Sequence, residues 1–167
     1  MLTLLLTSSL ALANHAPAPP LPAWAQGQWT QAGLNKTFER KTYAKPGFLQ
    51  ADFNGDGKID VAILIERLGS RSRGIIVLHQ GLPVPHVLGA GPNTHREILR
   101  GDFSWVDQWS LYTGSTTHEV MFSSNGDLLD TRLVRLKRPT IELIKEEQGG
   151  GMIYWNGKRY IWLHQTC

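Results

Sequence analysis

Cysteine is almost missing from this 167-residue sequence, because the single Cys167 stands at the last position. One cysteine cannot form an internal disulfide, so a packed core has to stabilise the fold. A terminal thiol also lacks the packed, base-assisted surroundings that thiol catalysis needs. Two roles remain for Cys167: a free thiol in the tail or an intermolecular disulfide.

Clustered positive charge and long apolar runs are missing too. The 17 Lys and Arg residues exceed the 14 Asp and Glu residues by three, and no basic run is longer than two. Dedicated nucleic-acid binding normally needs clustered cations to neutralise phosphates, so we expect no nucleic-acid partner. No apolar run reaches the roughly 20 residues of a membrane-spanning helix, so we expect no membrane span.

Motifs of common catalytic sites are absent as well. The sequence has no G-x-S-x-G, no H-E-x-x-H and no Cys/His set with zinc spacing. Asp102 and Asp107 could form a pair of the glycosidase kind, although structural acids beside tryptophans are the commoner case. We therefore predict no catalytic residues and no enzyme, with an envelope hydrolase as the less favoured alternative.

The first 13 residues are uncharged and rich in leucine, and they end in Ala11-Leu12-Ala13. An apolar segment before an A-x-A site is typical of a secretory signal peptide, although the positively charged start is missing here. We predict cleavage after Ala13 and a periplasmic or secreted protein. Residues 14–29 follow as a proline-rich leader, which we expect to be extended and unfolded. The domain is then predicted to span residues 30–167.

Most of that domain is predicted to be strand. Short apolar or alternating segments bounded by turn residues occur at 37–43, 59–66, 74–79, 117–123, 128–137, 140–145, 152–155 and 158–163. Asn125-Gly126 and Asn156-Gly157 are strong hairpin signals. Helix is indicated only weakly, over 104–112. The fold class is therefore mainly β, with antiparallel sheets in one domain forming a small sandwich, a barrel or a truncated propeller-like array.

One segment carries a specific chemical pattern. Oxygen-bearing side chains alternate at Asp52, Asn54 and Asp56, and Gly57 allows a sharp turn. Ca²⁺ takes six to eight oxygen ligands, which such a curled loop can supply. Lys58 would add its backbone carbonyl, and Asp60 would close the shell. The alternative is an acidic β-turn without metal, because Asn-Gly and Asp-Gly are common turn formers.

The loop differs from an EF-hand. That motif needs a carboxylate at position 12, where this sequence has Ile63, and its flanks are helices. Residues 51–62 instead resemble the FG-GAP (VCBS-type) calcium repeat, in which the loop joins two strands of a propeller blade. The resemblance implies a Ca²⁺ cofactor held by Asp52, Asn54, Asp56, the Lys58 carbonyl and Asp60. The motif occurs once, so a complete propeller is excluded.

A second resemblance covers more of the chain. Residues 88–91, 102–109 and 147–162 resemble a group of small exported bacterial β proteins that combine one such loop with a W-x-x-x-W segment and a final Y-W-N-G-K hairpin. Some exported β proteins with this loop resemble periplasmic lysozyme inhibitors, including immunity proteins. The short Ser-Gly-x-x-Tyr-like loop of those inhibitors is absent here.

The resemblance implies a protein-binding module whose partner could be a peptidoglycan hydrolase. Arg67, Arg71 and Arg73 surround a predicted loop and could approach the acidic cleft of a lysozyme-type enzyme. The alternative for these arginines is a solvated turn. For the chain as a whole, the alternative is a structural or adhesive envelope protein in which calcium only rigidifies the fold.

Overall fold

The structure is a computed structural model that describes residues 18–92 and 98–165. The predicted signal peptide, its cleavage site after Ala13 and the terminal Cys167 lie outside these residues. Within them, the chain is mainly β and forms three antiparallel sheets, none of which closes into a barrel. This confirms the predicted fold class. No helix in the described ranges is long and apolar enough to cross a bilayer.

The first sheet has five strands and is centred on a long hairpin. Its strands are β1 (Phe38–Arg40), β2 (Phe48–Ala51), β3 (Asp60–Arg67), β4 (Arg73–Leu78) and β5 (His86–Gly89). β1 and β2 lie end to end along one edge of β3, while β4 and β5 follow on its other side. The strands predicted over 59–66 and 74–79 are confirmed as β3 and β4, which pair as an antiparallel hairpin.

The remaining strands form a second sheet of four strands and a two-stranded ribbon. The second sheet runs in the order β11 (Tyr160–Gln165), β10 (Gly149–Trp155), β9 (Thr140–Lys145) and β6 (Gln108–Tyr112). The ribbon pairs β7 (Thr116–Phe122) with β8 (Leu128–Arg135). Both Asn-Gly hairpins, β7–β8 and β10–β11, are confirmed.

β3 and β4 are buried on both faces, which explains their continuous apolar sequence. Because side chains alternate across a strand, Ala62 and Leu64 face one cluster while Val61, Ile63 and Ile65 face another. The first cluster also contains residues of the second sheet, such as Leu143, so the two sheets share one core. The second cluster lies on the outer face of the first sheet.

A helix covers that outer face. α1 (Ala23–Gln31) buries Ala25 and Trp29 in the same cluster as Ile63 and Ile76. Leu21, which precedes the helix, is also buried there. This corrects the expectation of an unfolded leader over residues 14–29: its second half is a packed part of the domain. The N-terminus of the helix has no side-chain cap. The helix is therefore stabilised mainly by the apolar contacts of Ala25 and Trp29 with the sheet.

One further expectation is wrong. The segment with a weak helix indication, 104–112, contains β6, which pairs with β9 and buries Trp109 opposite Leu143. The three glycines at 149–151 begin β10. Glycine is needed at position 151, because a Cβ there would lie 2.3 Å from the Trp162 ring.

Replacing Gly151 with alanine should destabilise the protein by about 2 kcal/mol, because the added methyl must displace an aromatic ring in a packed sheet. Urea denaturation followed by tryptophan fluorescence measures the change. Gly27→Ala is the matched control, since Gly27 is inside α1 and an added methyl there would have no atom within 4 Å. It should raise stability by up to about 1 kcal/mol. Equal effects at both positions would contradict this packing argument.

Candidate metal centre

The acidic loop is the connection of a β-hairpin. β2 pairs with β3 up to Ala51 opposite Asp60, so residues 52–59 cross from one strand to the other. Both ends of the loop are therefore fixed by the sheet. The position of the loop in the fold is set by β3, whose residues 60–66 are all buried.

Asp52 organises the loop from within. Its Oδ1 accepts hydrogen bonds from the N–H groups of Gly55 at 2.6 Å and Asp56 at 3.0 Å. Its Oδ2 accepts from the Gly57 N–H at 2.9 Å. One carboxylate thus satisfies three successive exposed amides. Gly55 and Gly57 have φ angles of 81° and 84°, a left-handed conformation that glycine adopts without strain.

Two more side chains continue this curl. Asn54 Oδ1 accepts from the Asp56 N–H at 2.9 Å, and Asp56 Oδ1 accepts from the Lys58 N–H at 2.9 Å. Asp52 and Asn54 share the Asp56 N–H as a donor, so their oxygens lie on the same side of the loop. The alternation seen in the sequence therefore brings the side-chain oxygens of Asp52 and Asn54 together, while the Asp56 carboxylate accepts from the next turn of the loop.

Asp60 has a different position from the other predicted ligands. Its side chain is fully buried, and Oδ2 accepts from the N–H groups of Phe53 at 3.0 Å and Asn54 at 3.3 Å. Oδ1 accepts from the Gln80 N–H at 2.9 Å, just beyond the end of β4. Asp60 therefore ties the loop to the neighbouring strand. Burial raises the pKa of this carboxyl to about 6, against the opposing effect of the three backbone donors.

The loop offers the chemical types of ligand that a hard cation takes. Side-chain oxygens of Asp52, Asn54 and Asp56 with the Lys58 carbonyl are the ligand types that Ca²⁺ takes, and each carboxylate can accept more than one partner. Asp60 has the least remaining capacity. In residues 18–92 and 98–165, no group of three or more His, Cys, Asp or Glu side chains is arranged to hold a metal. A cation here would therefore depend on the amide and carbonyl oxygens as well as on the carboxylates.

The positively charged side chain of Arg138 packs against the loop, and the sequence did not predict this contact. A Cβ on Gly55 would lie 2.8 Å from Arg138 Nε, so the guanidinium packs directly on the loop backbone. Arg138 Nη1 also donates to the Trp155 carbonyl at 3.1 Å. The loop is therefore in contact with the second sheet as well as the first. No spacing in the sequence pointed to Arg138, because 83 positions separate it from Gly55.

Beneath the loop lies a cluster of four rings that the sequence also did not reveal. The rings are those of His79, His86, Trp155 and Tyr160. His79 is buried, and its Nε2 lies 2.8 Å from the Tyr160 hydroxyl and 3.9 Å from Asp60 Oδ2. The His86 and Trp155 rings have centroids 4.7 Å and 5.2 Å from that of His79. Burial lowers the pKa of both histidines, so they are neutral near pH 7.

The predicted partner-binding arginines do not form one exposed patch. Arg67 Nε donates to the Ala90 carbonyl at 2.7 Å, and its guanidinium lies 4.8 Å from the centroid of the Phe38 ring. Arg73 lies 4.8 Å from the centroid of the Tyr43 ring. Both side chains are half-buried and make contacts inside the first sheet.

Arg71 is the exposed member of the three. Its Nε lies 2.9 Å from Glu66 Oε1, and 73% of its side chain is accessible. It is also one of the few residues other than glycine with a positive φ, 64°. Of the three candidates, Arg71 is therefore the one whose side chain is mostly accessible.

The carboxylates considered for catalysis each have structural partners. Asp102 Oδ1 accepts from the N–H groups of Arg73 at 2.8 Å and Ser104 at 2.9 Å. Asp107 lies 3.0 Å from Lys145 Nζ, and this hydrogen bond lowers the pKa of the Asp107 carboxyl. Both groups thus hold loops onto neighbouring strands.

Comparison of the chain with protein-family models, with curated proteins and with solved structures finds no match in any of the three.

Tyr160→Phe tests the ring cluster. Removing the hydroxyl leaves the buried Nε2 of His79 without its hydrogen-bond partner, which should cost about 1–3 kcal/mol of stability. Tyr112→Phe is the matched control, because the Tyr112 hydroxyl donates to the Thr116 carbonyl at an exposed position. Chemical denaturation of both variants should show the larger loss for Tyr160. A smaller loss at Tyr160 than at Tyr112 would contradict the role assigned to this pair.

Proposed function

We propose that the chain is an exported β domain stabilised by one Ca²⁺ ion and acting as a protein-binding module. Asp52, Asn54, Asp56, the Lys58 carbonyl and Asp60 would hold the ion. The observation that carries the proposal is the curled loop, in which Asp52 and Asn54 accept from one shared amide and so present their oxygens together. The uncharged, leucine-rich first 13 residues support export to the periplasm or beyond.

The contribution of the ion would be electrostatic and local. Three carboxylates within nine residues repel one another, and a divalent cation opposes that repulsion. A bound cation would also favour the ionised form of Asp60, which burial alone disfavours. Because Asp60 bonds to both the loop and the end of β4, occupancy of the loop would be transmitted to the core of the first sheet.

Saturating calcium should raise the melting temperature of the metal-free protein by about 5 °C or more, since a ligand at 100 times its Kd adds about 2.7 kcal/mol. Asp56→Asn should reduce the shift strongly, because it removes a ligand charge while leaving an oxygen for the Lys58 N–H. Thermal melts with calcium, with magnesium and with chelator measure the effect.

The matched control is Asp127→Asn, which removes an equal charge from an exposed turn outside the loop. It should retain the full calcium shift. The same melting temperature for the native chain with calcium and with chelator would refute the calcium proposal.

The binding role is proposed with a cell-wall hydrolase of the lysozyme type as partner, as for an immunity protein. What supports this class is the resemblance to exported inhibitor-like proteins, the net positive charge and the exposed Arg71 beside β3 and β4. Acidic clefts attract a basic loop. The engagement of Asp102 and Asp107 in structural contacts favours a binder over the alternative of an envelope hydrolase.

Titration into a panel of lysozyme-type hydrolases should give stoichiometric inhibition in calcium. Arg71→Ala should weaken that inhibition, by about tenfold for a loop charge in contact with the enzyme. Lys137→Ala, an exposed cation elsewhere on the fold, should have no effect. No inhibition of any enzyme would refute the inhibitor role and favour the structural alternative. Peptidoglycan turnover by the chain itself would favour the hydrolase alternative.

A further inference from the structure

The β7–β8 ribbon is the one part of the described structure with a long unpaired edge and exposed apolar side chains. β8 pairs only with β7 among the described residues. Along its eight residues, Leu128 and Leu129 are each 63% exposed and Leu133 is 57% exposed. An edge of this kind is a template for pairing with another strand.

The opposite edge of the ribbon is already covered. Gln165 Nε2 donates to the His118 carbonyl at 2.7 Å, and Thr117 Oγ1 donates to Gln165 Oε1 at 3.2 Å. The end of β11 therefore lies along β7. Of the two edges of the ribbon, β8 is therefore the one without such contacts from a neighbouring strand in the described residues.

The sequence of β8 is chemically symmetric about its fourth residue. Thr131 has an acidic residue before it and a basic residue after it, and two apolar residues flank this trio on each side. The order is Leu128, Leu129, Asp130, Thr131, Arg132, Leu133 and Val134. A strand with this pattern is complementary to its own antiparallel copy. We propose that two copies of this chain associate through β8, antiparallel, with the two-fold axis at Thr131.

This register places complementary groups opposite each other. Leu129 lies opposite Leu133 of the second copy, and Asp130 lies opposite Arg132 of the second copy. The two-fold axis repeats each pair, as an isologous interface requires. A shift of one residue in either direction would lose the Asp–Arg pairs and place leucine opposite charged residues, so the pattern specifies one register.

The charged groups are available for these contacts. Arg132 uses Nε and Nη2 to contact Glu119 Oε2, at 2.7 Å and 2.6 Å, which leaves the Nη1 donors. Asp130 accepts the Thr131 N–H at 2.7 Å and forms no ion pair with any other described residue. Association would therefore form a chain of charges from Glu119 through Arg132 to Asp130 of the second copy.

The regular pairing of β7 with β8 is interrupted near the start of β8. Met121 pairs with Asp130 and Phe122 with Leu128, so Leu129 is an extra residue at a β-bulge. The self-paired segment would accordingly cover residues 129–133. The result is a closed dimer with a four-stranded sheet in the order β7, β8, β8, β7.

Sedimentation equilibrium of the full chain tests the association. All samples carry Cys167→Ser, which removes disulfide-linked dimers. The chain should show a monomer–dimer equilibrium, and Leu133→Asp should raise the dissociation constant about a hundredfold, because the leucine is buried twice in the dimer. Leu82→Asp replaces a leucine that is 46% exposed in the connection between β4 and β5 and should leave the constant unchanged. Far-ultraviolet circular dichroism verifies that each variant is folded.

A second measurement tests the register itself. Opposed residues in an antiparallel pair have Cβ atoms about 4.5–5.5 Å apart, so Thr131→Cys should cross-link to its own copy with a short bismaleimide reagent. Arg135→Cys, equally on β8 but far from the two-fold axis, should not. A chain that is monomeric at all concentrations, a dimer insensitive to Leu133→Asp, or cross-linking at residue 135 in place of 131 would each overturn the proposal. A monomer that captures a strand of another protein through β8 would also overturn it.

Discussion

The buried carboxylate of Asp60 is the interaction on which the candidate centre and its surroundings depend. It accepts N–H groups from Phe53 and Asn54 in the loop and from Gln80 beyond β4. It also lies 3.9 Å from His79, which bonds to Tyr160 of the second sheet. Losing this side chain would remove the acceptor of the partly buried Asn54 and Gln80 N–H groups, which lie in two different connections. A single acidic residue thus links the loop, the first sheet and the ring cluster.

The packing around β3 explains why this link is rigid. One face of β3 and β4 packs on the second sheet and the other packs under α1. Asp60 is the first residue of β3, so its backbone is held by pairing with both Ala51 of β2 and the rest of the buried hairpin. The position of the loop is therefore set by two apolar clusters, and the loop needs only to curl between fixed ends.

Much of the fold follows from short-range signals in the sequence. Continuous apolar runs predicted β3 and β4, and the Asn-Gly turns at 125–126 and 156–157 predicted two hairpins. The alternation of Asp52, Asn54 and Asp56 predicted the curled loop, in which the hydrogen bonds accepted by these three side chains are all within five residues. Local pattern suffices where the stabilising contacts are local.

Features that depend on distant contacts were not predictable. α1 has little apolar periodicity of its own, and Trp29 becomes informative only once the face that it covers is known. The ring cluster joins His79 to Tyr160 across 81 positions, and Arg138 reaches Gly55 from another connection. β6 lacks a strong strand signal, and it is held as a strand by its pairing with β9.

The placement of α1 ahead of every strand has a consequence for N-terminally shortened forms of the chain. The outer face of the first sheet, including Ile63, Ile65 and Ile76, has its cover supplied by Leu21, Ala25 and Trp29. Proteolytic trimming that stops before Leu21 would leave this cover intact. Trimming into α1 would uncover an aliphatic surface on the most hydrophobic hairpin, and such a surface favours aggregation. Leu21 thus marks how far the N-terminus can be shortened before the cover of the first sheet is lost.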